Sequence, residues 1–294
     1  MIDNLKIAIA SGKGGTGKTL VATNLFYTLL HEKKRVTLVD CDAEEPDDLI
    51  FLGGKCLQSF DVVQKVPVID KSRCTFCGKC YEYCNYGAIF FLPSVEEIRV
   101  LDDFCHSCGA CSVACKFDAI REKDIITGTV SRYSIKNQVA VIEARMKVGI
   151  HSPVSVIKAA IGEAGNEGII LLDSPPGTSC PFIQTVAVAD YVILVTEPTP
   201  FGMSDLKQSV EALRILNKPC GVVINRAGMG NGDVYKYLHD ENLPLLMEIP
   251  FDRTIAMLYS EGKIVAAENS ELYSGFLLMF NLVTREYGIC IHQR

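Results

Sequence analysis

The chain has 294 residues, 48% of them hydrophobic, and a formal net charge of −6, which describes an ordinary globular protein of one large or two small domains. The acidic balance argues against a broad nucleic-acid surface, and no apolar run approaches the roughly 18 residues of a membrane span. No basic segment leads into an apolar one at the N-terminus, so we expect a cytoplasmic protein without a secretory signal. The 13 cysteines are then unexpected, because a reducing compartment disfavours disulfides.

The first predicted elements are an apolar strand at residues 5–10, a glycine-rich loop at residues 12–19 and a helix at residues 20–32. A second apolar strand at residues 36–39 ends at Asp40-Cys41-Asp42. The order strand, glycine-rich loop and helix is typical of phosphate-binding sites, because backbone N–H groups at a helix N-terminus attract anions.

One interpretation of this loop is a dinucleotide site. Gly12, Gly14 and Gly17 have the spacing of the dinucleotide-binding fingerprint. Asp40 and Asp42 follow about 20 residues further on, where an acid would bind the ribose. Taken alone, these residues are compatible with an NAD-dependent oxidoreductase.

The P-loop is a second interpretation, and it accounts for more of the residues. The motif is Gly12-x4-Gly17-Lys18-Thr19. In a P-loop the lysine reaches the β- and γ-phosphates and the hydroxyl binds Mg²⁺, whereas Lys18 and Thr19 have no function in an NAD site. Asp173, after a later apolar strand, supplies the acid expected on the Mg²⁺ side. The P-loop interpretation is therefore favoured.

Eight of the 13 cysteines form two identical runs. The runs are Cys74-x2-Cys77-x2-Cys80-x3-Cys84 and Cys105-x2-Cys108-x2-Cys111-x3-Cys115. Zinc sites usually use two separated pairs of ligands, whereas three cysteines at successive three-residue steps suit an iron–sulfur cluster. Two zinc sites or unliganded thiols are the alternative interpretation.

The runs resemble those of the bacterial two-cluster ferredoxins, in which the fourth cysteine of each run ligates the other cluster. The resemblance implies one [4Fe–4S] cluster on Cys74, Cys77, Cys80 and Cys115, and another on Cys84, Cys105, Cys108 and Cys111. The proline that usually follows each fourth cysteine is Asn85 or Lys116 here, a departure that bears on the cluster potentials. We place this ferredoxin module at residues 56–138, inserted between ATPase segments 1–55 and 139–294.

Strands and helices alternate again after the module. Apolar strands are predicted at residues 169–172, 191–195, 221–224 and 245–249, and helices at residues 204–216 and 234–241. This alternation predicts an α/β fold whose mostly parallel sheet is covered by helices on both faces. The apolar stretch 272–287 contains Arg285 as its only basic residue, which favours a core-packing helix over a membrane-surface helix.

The loop Gly12-Lys13-Gly14-Gly15-Thr16-Gly17-Lys18-Thr19 resembles the deviant Walker A loop of the MinD/ParA superfamily of P-loop ATPases. That superfamily also contains the nitrogenase iron protein and the Mrp-type iron–sulfur carriers. The resemblance implies an ATP-dependent dimer, either a homodimer or a heterodimer with a paralogue, in which Lys13 crosses the interface to the partner's nucleotide. It covers nearly the whole chain.

The same resemblance implies functions for further residues. Asp42 would orient the attacking water, and Asp173 would begin the second switch loop. Lys13, Lys18, Asp42 and Asp173 are the implied catalytic residues, and Thr19, Asp42 and Asp173 the Mg²⁺ side of the site. Residues 12–19 would contact the phosphates, and Asn225, Arg226, Pro250 and Asp252 the adenine. Asp47 stands where the family pattern has asparagine.

Together these features predict a protein that uses ATP or ADP, Mg²⁺ and two [4Fe–4S] clusters. Its nucleotide state would gate electron transfer, or metallocentre assembly, on an unidentified redox or metalloprotein partner. The alternatives are a spatial-positioning ATPase of the MinD/ParA kind and, third, an NAD-dependent oxidoreductase. Cys41 and Cys180 have no assigned function, and a small buried thiol is the default interpretation of Cys180.

Overall fold

The computed structural model describes residues 4–136, 138–230 and 232–292, so the first three residues of the N-terminus lie outside it. The chain forms two compact units. The first comprises the chain up to Phe60, Val130–Arg145 and the chain from Ile157 onward, and the second comprises Asp61–Thr129 and Met146–Val156. The module boundaries at 56 and 138 stay predictions.

The strands, in chain order, are β1 (Asn4–Ala10), β2 (Val36–Asp40), β3 (Lys55–Ile69), β4 (Ile89–Leu92), β5 (Glu97–Val100), β6 (Ile120–Ile135), β7 (Gln138–Met146), β8 (Gly168–Asp173), β9 (Tyr191–Thr196), β10 (Cys220–Ala227) and β11 (Leu245–Pro250). The helices are α1 (Lys18–His31), α2 (Asp48–Leu52), α3 (Lys79–Glu82), α4 (Ala110–Ala114), α5 (Val154–Glu163), α6 (Cys180–Ala187), α7 (Pro200–Ile215), α8 (Asp233–Asp240), α9 (Arg253–Ser260), α10 (Val265–Glu268) and α11 (Ser270–His292). Every strand predicted outside the cysteine runs is present, extended by one to four residues.

The main sheet has the strand order β11-β10-β9-β1-β8-β2-β7-β6-β3. The central strand β1 pairs in parallel with β8 and β9, and parallel pairs also join β2 to β7 and β8, and β10 to β9 and β11. The predicted α/β fold with a mostly parallel sheet is confirmed. The polar residues at the carboxyl ends of the parallel strands therefore lie along one edge of the sheet, where ligands bind in such folds. The separate β4–β5 pair in the second unit is antiparallel.

The helix α11 buries one apolar stripe in the core of the first unit. The stripe consists of Leu272, Phe276, Met279, Phe280 and Val283, spaced at three or four residues. Burying each such side chain contributes about 1.5–3 kcal/mol, and the prediction of a core-packing helix is confirmed. Across the part of the chain that the structure describes, no helix combines the length and apolar character that a membrane crossing requires.

The second unit has a small core. The cluster beside the cysteine runs buries Cys80, Ile89, Ile98 and Ile120, with Ile69, Phe76, Phe91 and four further cysteines packed around them. A cluster of this size contributes little hydrophobic burial, and small domains usually need a metal or disulfides in addition.

Candidate functional site

The glycine-rich loop joins β1 to α1 and is held closely by two other elements. Gly17 has φ 97°, and a Cβ on it would collide with the side-chain amide of Asn225 at the end of β10. A Cβ on Gly12 would collide with the backbone carbonyl of Asp205 in α7. Asn225 Nδ2 also donates to the Thr16 carbonyl at 2.8 Å. Glycines at these two positions therefore let the loop pack between β10 and α7, and the N–H groups at the N-terminus of α1 are suited to binding an anion.

Three acidic or hydroxyl side chains meet at the first turn of α1. Thr19 Oγ1 donates to Asp173 Oδ2 at 2.9 Å and lies 3.1 Å from Asp47 Oδ1. Asp173 Oδ1 is buried and has no hydrogen-bond partner among the described residues. Oxygen ligands of this kind are what Mg²⁺ prefers, so the group fits the ion. The sequence predicts Thr19 and Asp173 at this site, whereas Asp47 differs from the asparagine of the family pattern and is placed here by the structure.

Asp40 organises the turn that carries these acids. Its carboxylate accepts hydrogen bonds from the backbone N–H groups of Asp42, Asp47 and Asp48, at 3.1, 2.9 and 3.1 Å. Asp48 is completely buried, and neither of its carboxylate oxygens has a partner within the described residues. Burial, and then the charge of Asp173, raises the pKa of Asp40, and burial with the charge of Asp40 raises that of Asp48. The close grouping of buried carboxylates at this edge of the sheet therefore favours the binding of a cation.

Asp42 lies half-buried on the same turn. Burial raises its pKa to about 6, while the positive charge of Lys18 acts in the opposite direction. Burial also raises the pKa of Asp173, again against the charge of Lys18. Because a pKa of about 6 lies below neutral pH, the ionised form of Asp42 predominates there and its carboxylate can accept a hydrogen bond from water.

A cavity of about 300 Å³ adjoins the loop. Its lining consists of Gly15, Gly17, Leu20, Asn225, Arg226, Pro250, Phe251, Asp252, Ile255, Ala256 and Tyr259. The structure thus brings all four predicted adenine residues to one cavity. Asp252 also caps α9, since its Oδ1 accepts from the backbone N–H of Thr254 at 2.6 Å.

Sequence reasoning missed the apolar wall of this cavity. Ile255 and Tyr259 lie one helical turn apart on α9, and Tyr259 stacks on Phe51 of α2 with ring centroids 4.7 Å apart. The spacing of four residues between Ile255 and Tyr259, shortly after the Asp252 cap, places both on one face of a helix and could have predicted them.

Lys13 forms an ion pair that the sequence did not indicate. Its Nζ lies 2.6 Å from Oε1 of Glu197, and Arg226 Nη1 lies 2.6 Å from Oε2 of the same carboxylate. Glu197 follows β9, so it lies at the carboxyl edge where polar residues were expected.

The second unit contains two cavities lined by cysteines. One is lined by Cys74, Cys77, Cys80 and Cys115, and the other by Cys84, Cys105, Cys108 and Cys111. Each cavity therefore takes three cysteines from one run and the fourth from the other run. Ile69, Ile98 and Ile120 line the first cavity, while Tyr86 and His106, whose rings stack at 3.9 Å, line the second.

The two runs have the same backbone conformation. Gly78 and Gly109 have φ 74° and 73°, and each precedes a short helix. Backbone N–H groups donate to Cys74 Sγ and to Cys105 Sγ, both at 3.4 Å. Such N–H···S bonds stabilise thiolates, the form in which cysteine ligates metal.

Burial acts against free thiolates in these cavities. It raises the pKa of Cys80 to about 11 and also raises those of Cys105 and Cys111. A buried cysteine with a raised pKa is inert unless a metal ion deprotonates it. The donor set of four cysteines in each cavity therefore fits a metal centre.

Of the unassigned cysteines, Cys41 is fully buried, but Cys180 is exposed at the start of α6. The default interpretation of Cys180 as a buried thiol was wrong. The apolar positions of α6, including Phe182 and Val186, face the core, and this places the first helical residue outside it.

A family model described as the CobQ/CobB/MinD/ParA nucleotide binding domain matches residues 7–265. This chain belongs to the CobQ/CobB/MinD/ParA family. The match begins in β1 and includes the phosphate-binding loop, both acidic turns and the cavity beside them. It supports P-loop ATPase chemistry at this site.

The relatives of this CobQ/CobB/MinD/ParA protein span its length. An uncharacterized protein of Methanocaldococcus jannaschii is 30% identical over 271 residues, covering 90% of this chain and 92% of that protein. An iron–sulfur cluster carrier protein of Aquifex aeolicus is 23% identical over 298 residues, covering 95% of this chain and 67% of that protein. The structure of the septum site-determining protein MinD of Pyrococcus horikoshii, solved with Mg-ADP, matches with a TM-score of 0.58 and 20% identity. The match covers 97% of this chain and 98% of MinD. That structural likeness shows the fold.

Proposed function

We propose that this protein binds and hydrolyses ATP, and that its nucleotide state gates electron transfer through two [4Fe–4S] clusters, or metallocentre assembly, on a partner redox protein or metalloprotein. The observation that carries this proposal is the exchange of the fourth cysteine between the two cysteine-lined cavities. The name of the Aquifex aeolicus relative, an iron–sulfur cluster carrier protein, also supports iron–sulfur chemistry.

The exchanged pattern supports clusters over zinc. Four cysteines line each cavity, and the two sets interlock because Cys84 and Cys115 each belong to the run of the other cavity. The two-cluster ferredoxins have this ligand arrangement. A bound cluster would supply one-electron chemistry, while the chain supplies the thiolates, N–H···S bonds and apolar side chains that set its potential.

The nucleotide half supplies positioned charges. Lys18 would bind the phosphates, Thr19 and Asp173 would hold Mg²⁺, and Asp42 would orient the attacking water. Asp47 joins the Mg²⁺ side through Thr19. Little covalent chemistry is needed, because positioning and charge stabilisation account for most of phosphoryl-transfer catalysis.

The resemblance of the loop to deviant Walker A ATPases supports a dimer across the nucleotide site, formed with a second copy or a paralogue. Thiolates that must stay on iron support a reducing, cytoplasmic location. Neither nucleic acid nor a membrane span is part of the proposal.

Metal analysis tests the clusters. The protein is purified anaerobically, and iron, sulfide and zinc are quantified. We expect about eight irons and eight sulfides per chain, since two [4Fe–4S] clusters carry that number. Cys115→Ser should lower the iron content, whereas Cys220→Ser, outside both cavities, should leave it unchanged. About two zinc ions per chain with no sulfide would contradict the proposal.

Gating is tested on the reduced protein. We expect Mg-ATP to shift the EPR spectrum or the midpoint potential relative to Mg-ADP. Asp42→Asn should lower ATP hydrolysis by roughly 10²-fold or more while nucleotide affinity is retained. Glu44→Gln, an exposed neighbour, is the matched control. A spectrum and potential indifferent to nucleotide would refute gating, and hydrolysis by Asp42→Asn at the wild-type rate would refute the function of that residue.

The similarity of the fold to MinD favours one second candidate, a spatial-positioning ATPase. Such proteins need a surface-binding element, but the apolar stripe of α11 is buried in the core. ATP-dependent co-sedimentation with liposomes would favour this alternative. An NAD-dependent oxidoreductase is not proposed, because Thr19 contacts Asp173 and the chain belongs to a P-loop family.

A further inference from the structure

The two cysteine-lined cavities have different surroundings. Beside Thr75 and Lys79, the side chains that share the first cavity with its cysteines are apolar: Ile69, Ile98, Phe117, Ala119 and Ile120. The second cavity has an apolar part, but it also takes polar or charged side chains: Lys65, Tyr86, His106, Ser107 and Glu122. Reduction adds negative charge to a cluster, and polar surroundings stabilise that charge better than apolar ones. The second cavity therefore suits a reduced cluster better.

Hydrogen bonds to the sulfur atoms differ in the same direction. Among the described residues, two thiols of the second cavity accept from backbone N–H groups, Cys84 from Ala88 at 3.3 Å and Cys105 from Ser107 at 3.4 Å. One thiol of the first cavity, Cys74, accepts such a bond. Donors to the sulfurs raise the midpoint potential, because they stabilise the more negative, reduced state.

Ser112 supplies a further donor at the second cavity. It follows Cys111 in α4, and its hydroxyl oxygen is buried without a hydrogen-bond partner in the part of the chain that the structure describes. Burial raises the pKa of Cys111, and the hydroxyl of Ser112 acts in the opposite direction, so this hydroxyl lies within reach of the sulfur. An unpaired buried donor is costly, and a thiolate that ligates metal is an acceptor for it.

The first run has no serine at the matching positions. Ser107 and Ser112 of the second run stand where the first run has Phe76 and Tyr81. Phe76 packs against the apolar cluster of the module, and the Tyr81 side chain is exposed. The repeat thus places small hydroxyl side chains beside the second cavity and aromatic rings at the corresponding positions of the first run.

The charges at the two cavities are balanced. Lys79 lines the first cavity, and a cation there would raise the midpoint potential, but its Nζ lies 2.6 Å from Glu82 Oε2 and both side chains are more than half exposed. At the second cavity, Lys65 and Glu122 are likewise paired, at 4.0 Å. Paired and solvent-screened charges contribute little, so polarity and hydrogen bonds decide the difference.

We propose that the second cavity holds the more easily reduced of the two clusters, and that the Ser112 hydroxyl contributes to this by donating to the Cys111 thiolate. This inference rests on the proposed clusters. A low-potential one-electron donor supplies the electron, and no bond or proton changes place. The electron carried by a singly reduced protein then resides mainly at the second cavity, from which the partner protein receives it.

Two ligand variants assign the potentials. Anaerobically purified full-length protein is titrated with dithionite and followed by EPR, and we expect two midpoint potentials at least about 59 mV apart, a tenfold ratio for a one-electron couple. Cys77 and Cys108 are both exposed and second in their runs, so they form a matched pair. The intact cluster that remains in Cys77→Ala should titrate at the higher wild-type potential, and that in Cys108→Ala at the lower. Equal potentials, or the reverse assignment, would overturn the proposal.

A third variant tests the hydroxyl. Ser112→Ala should shift the higher potential downward by roughly a fivefold ratio of reduced to oxidised cluster, the effect of one ordinary hydrogen bond, and leave the lower potential unchanged. Tyr81→Phe removes a hydroxyl at the matching position of the first run and should change neither potential. Wild-type potentials in Ser112→Ala would overturn the assigned function of that residue, and this pair still decides the matter if the ligand variants lose both clusters. Wild-type protein without iron and sulfide would instead contradict the proposed function.

Discussion

At the scale of single residues, the nucleotide site depends on acids whose surroundings differ. Asp42 and Glu197 both lie at the carboxyl edge of the sheet. Burial raises the pKa of Asp42 to about 6, whereas the cations around Glu197 lower its pKa despite burial. At Asp42 burial thus outweighs the charge of Lys18, whereas at Glu197 the two paired cations outweigh burial and keep the carboxylate charged.

The depressed pKa of Glu197 predicts how stability depends on pH. A group with a lowered folded-state pKa stabilises the protein above its unfolded pKa, and that contribution is lost as pH falls through the folded value. We therefore expect Glu197→Gln to be less stable than wild type at pH 7, with the difference shrinking below about pH 4.5. Urea denaturation at several pH values measures this, and a difference independent of pH would refute it.

At the scale of elements, the two cysteine runs form a matched pair. Gly78 and Gly109 have nearly the same positive φ, but their surroundings differ. A Cβ on Gly78 would lie 2.8 Å from Phe91 Cε1, whereas, chain neighbours aside, none of the residues that the structure describes comes within 4 Å of a Cβ on Gly109.

Alanine at both positions should cost about 1–2 kcal/mol for the left-handed conformation. Gly78→Ala should cost about 1–3 kcal/mol more, because the Phe91 ring must move. Thermal unfolding and iron retention after desalting measure the difference. Equal losses for the two variants, or a larger loss for Gly109→Ala, would contradict this expectation.

The cap of α9 gives a second prediction at this scale. Asp252 Oδ1 accepts from the N–H groups of Thr254 and Ile255, at 2.6 and 3.4 Å. Asp252→Ala should therefore destabilise the protein by about 1 kcal/mol, while Asp252→Ser keeps most of the cap. Calorimetry compares the two. If both substitutions instead leave stability unchanged but alter the preference for ATP over GTP, Asp252 contacts the base and its cap is incidental.

At the scale of the whole molecule, the two units differ in what stabilises them. The first has an extensive apolar core, whereas the cluster beside the cysteine runs of the second buries four residues, one of them a cysteine. We expect removal of iron by an anaerobic chelator to increase hydrogen exchange in residues 61–129, with residues 191–224 still protected. Exchange that rises equally in both segments, or in neither, would show that metal does not stabilise the second unit selectively.

The sequence by itself determined the features that short spacings encode. Within the phosphate-binding motif, each cysteine run and each apolar strand, the residues that define the feature lie only a few positions apart in the sequence. Local geometry therefore specifies them, and the α/β fold with its parallel sheet follows from their alternation. The acids at the ends of β2 and β8 could also be predicted from the sequence, because parallel strands bring their carboxyl ends to one edge of the sheet.

Only the tertiary structure decided which distant side chains meet. Glu197 pairs with Lys13 and Arg226, Asp47 reaches Thr19, and Tyr259 completes the cavity wall. No spacing in the sequence encodes these contacts, because each joins separate strands or helices whose approach depends on how side chains pack across the sheet. A charged residue after a buried strand is visible in the sequence, but its partner is set by the fold.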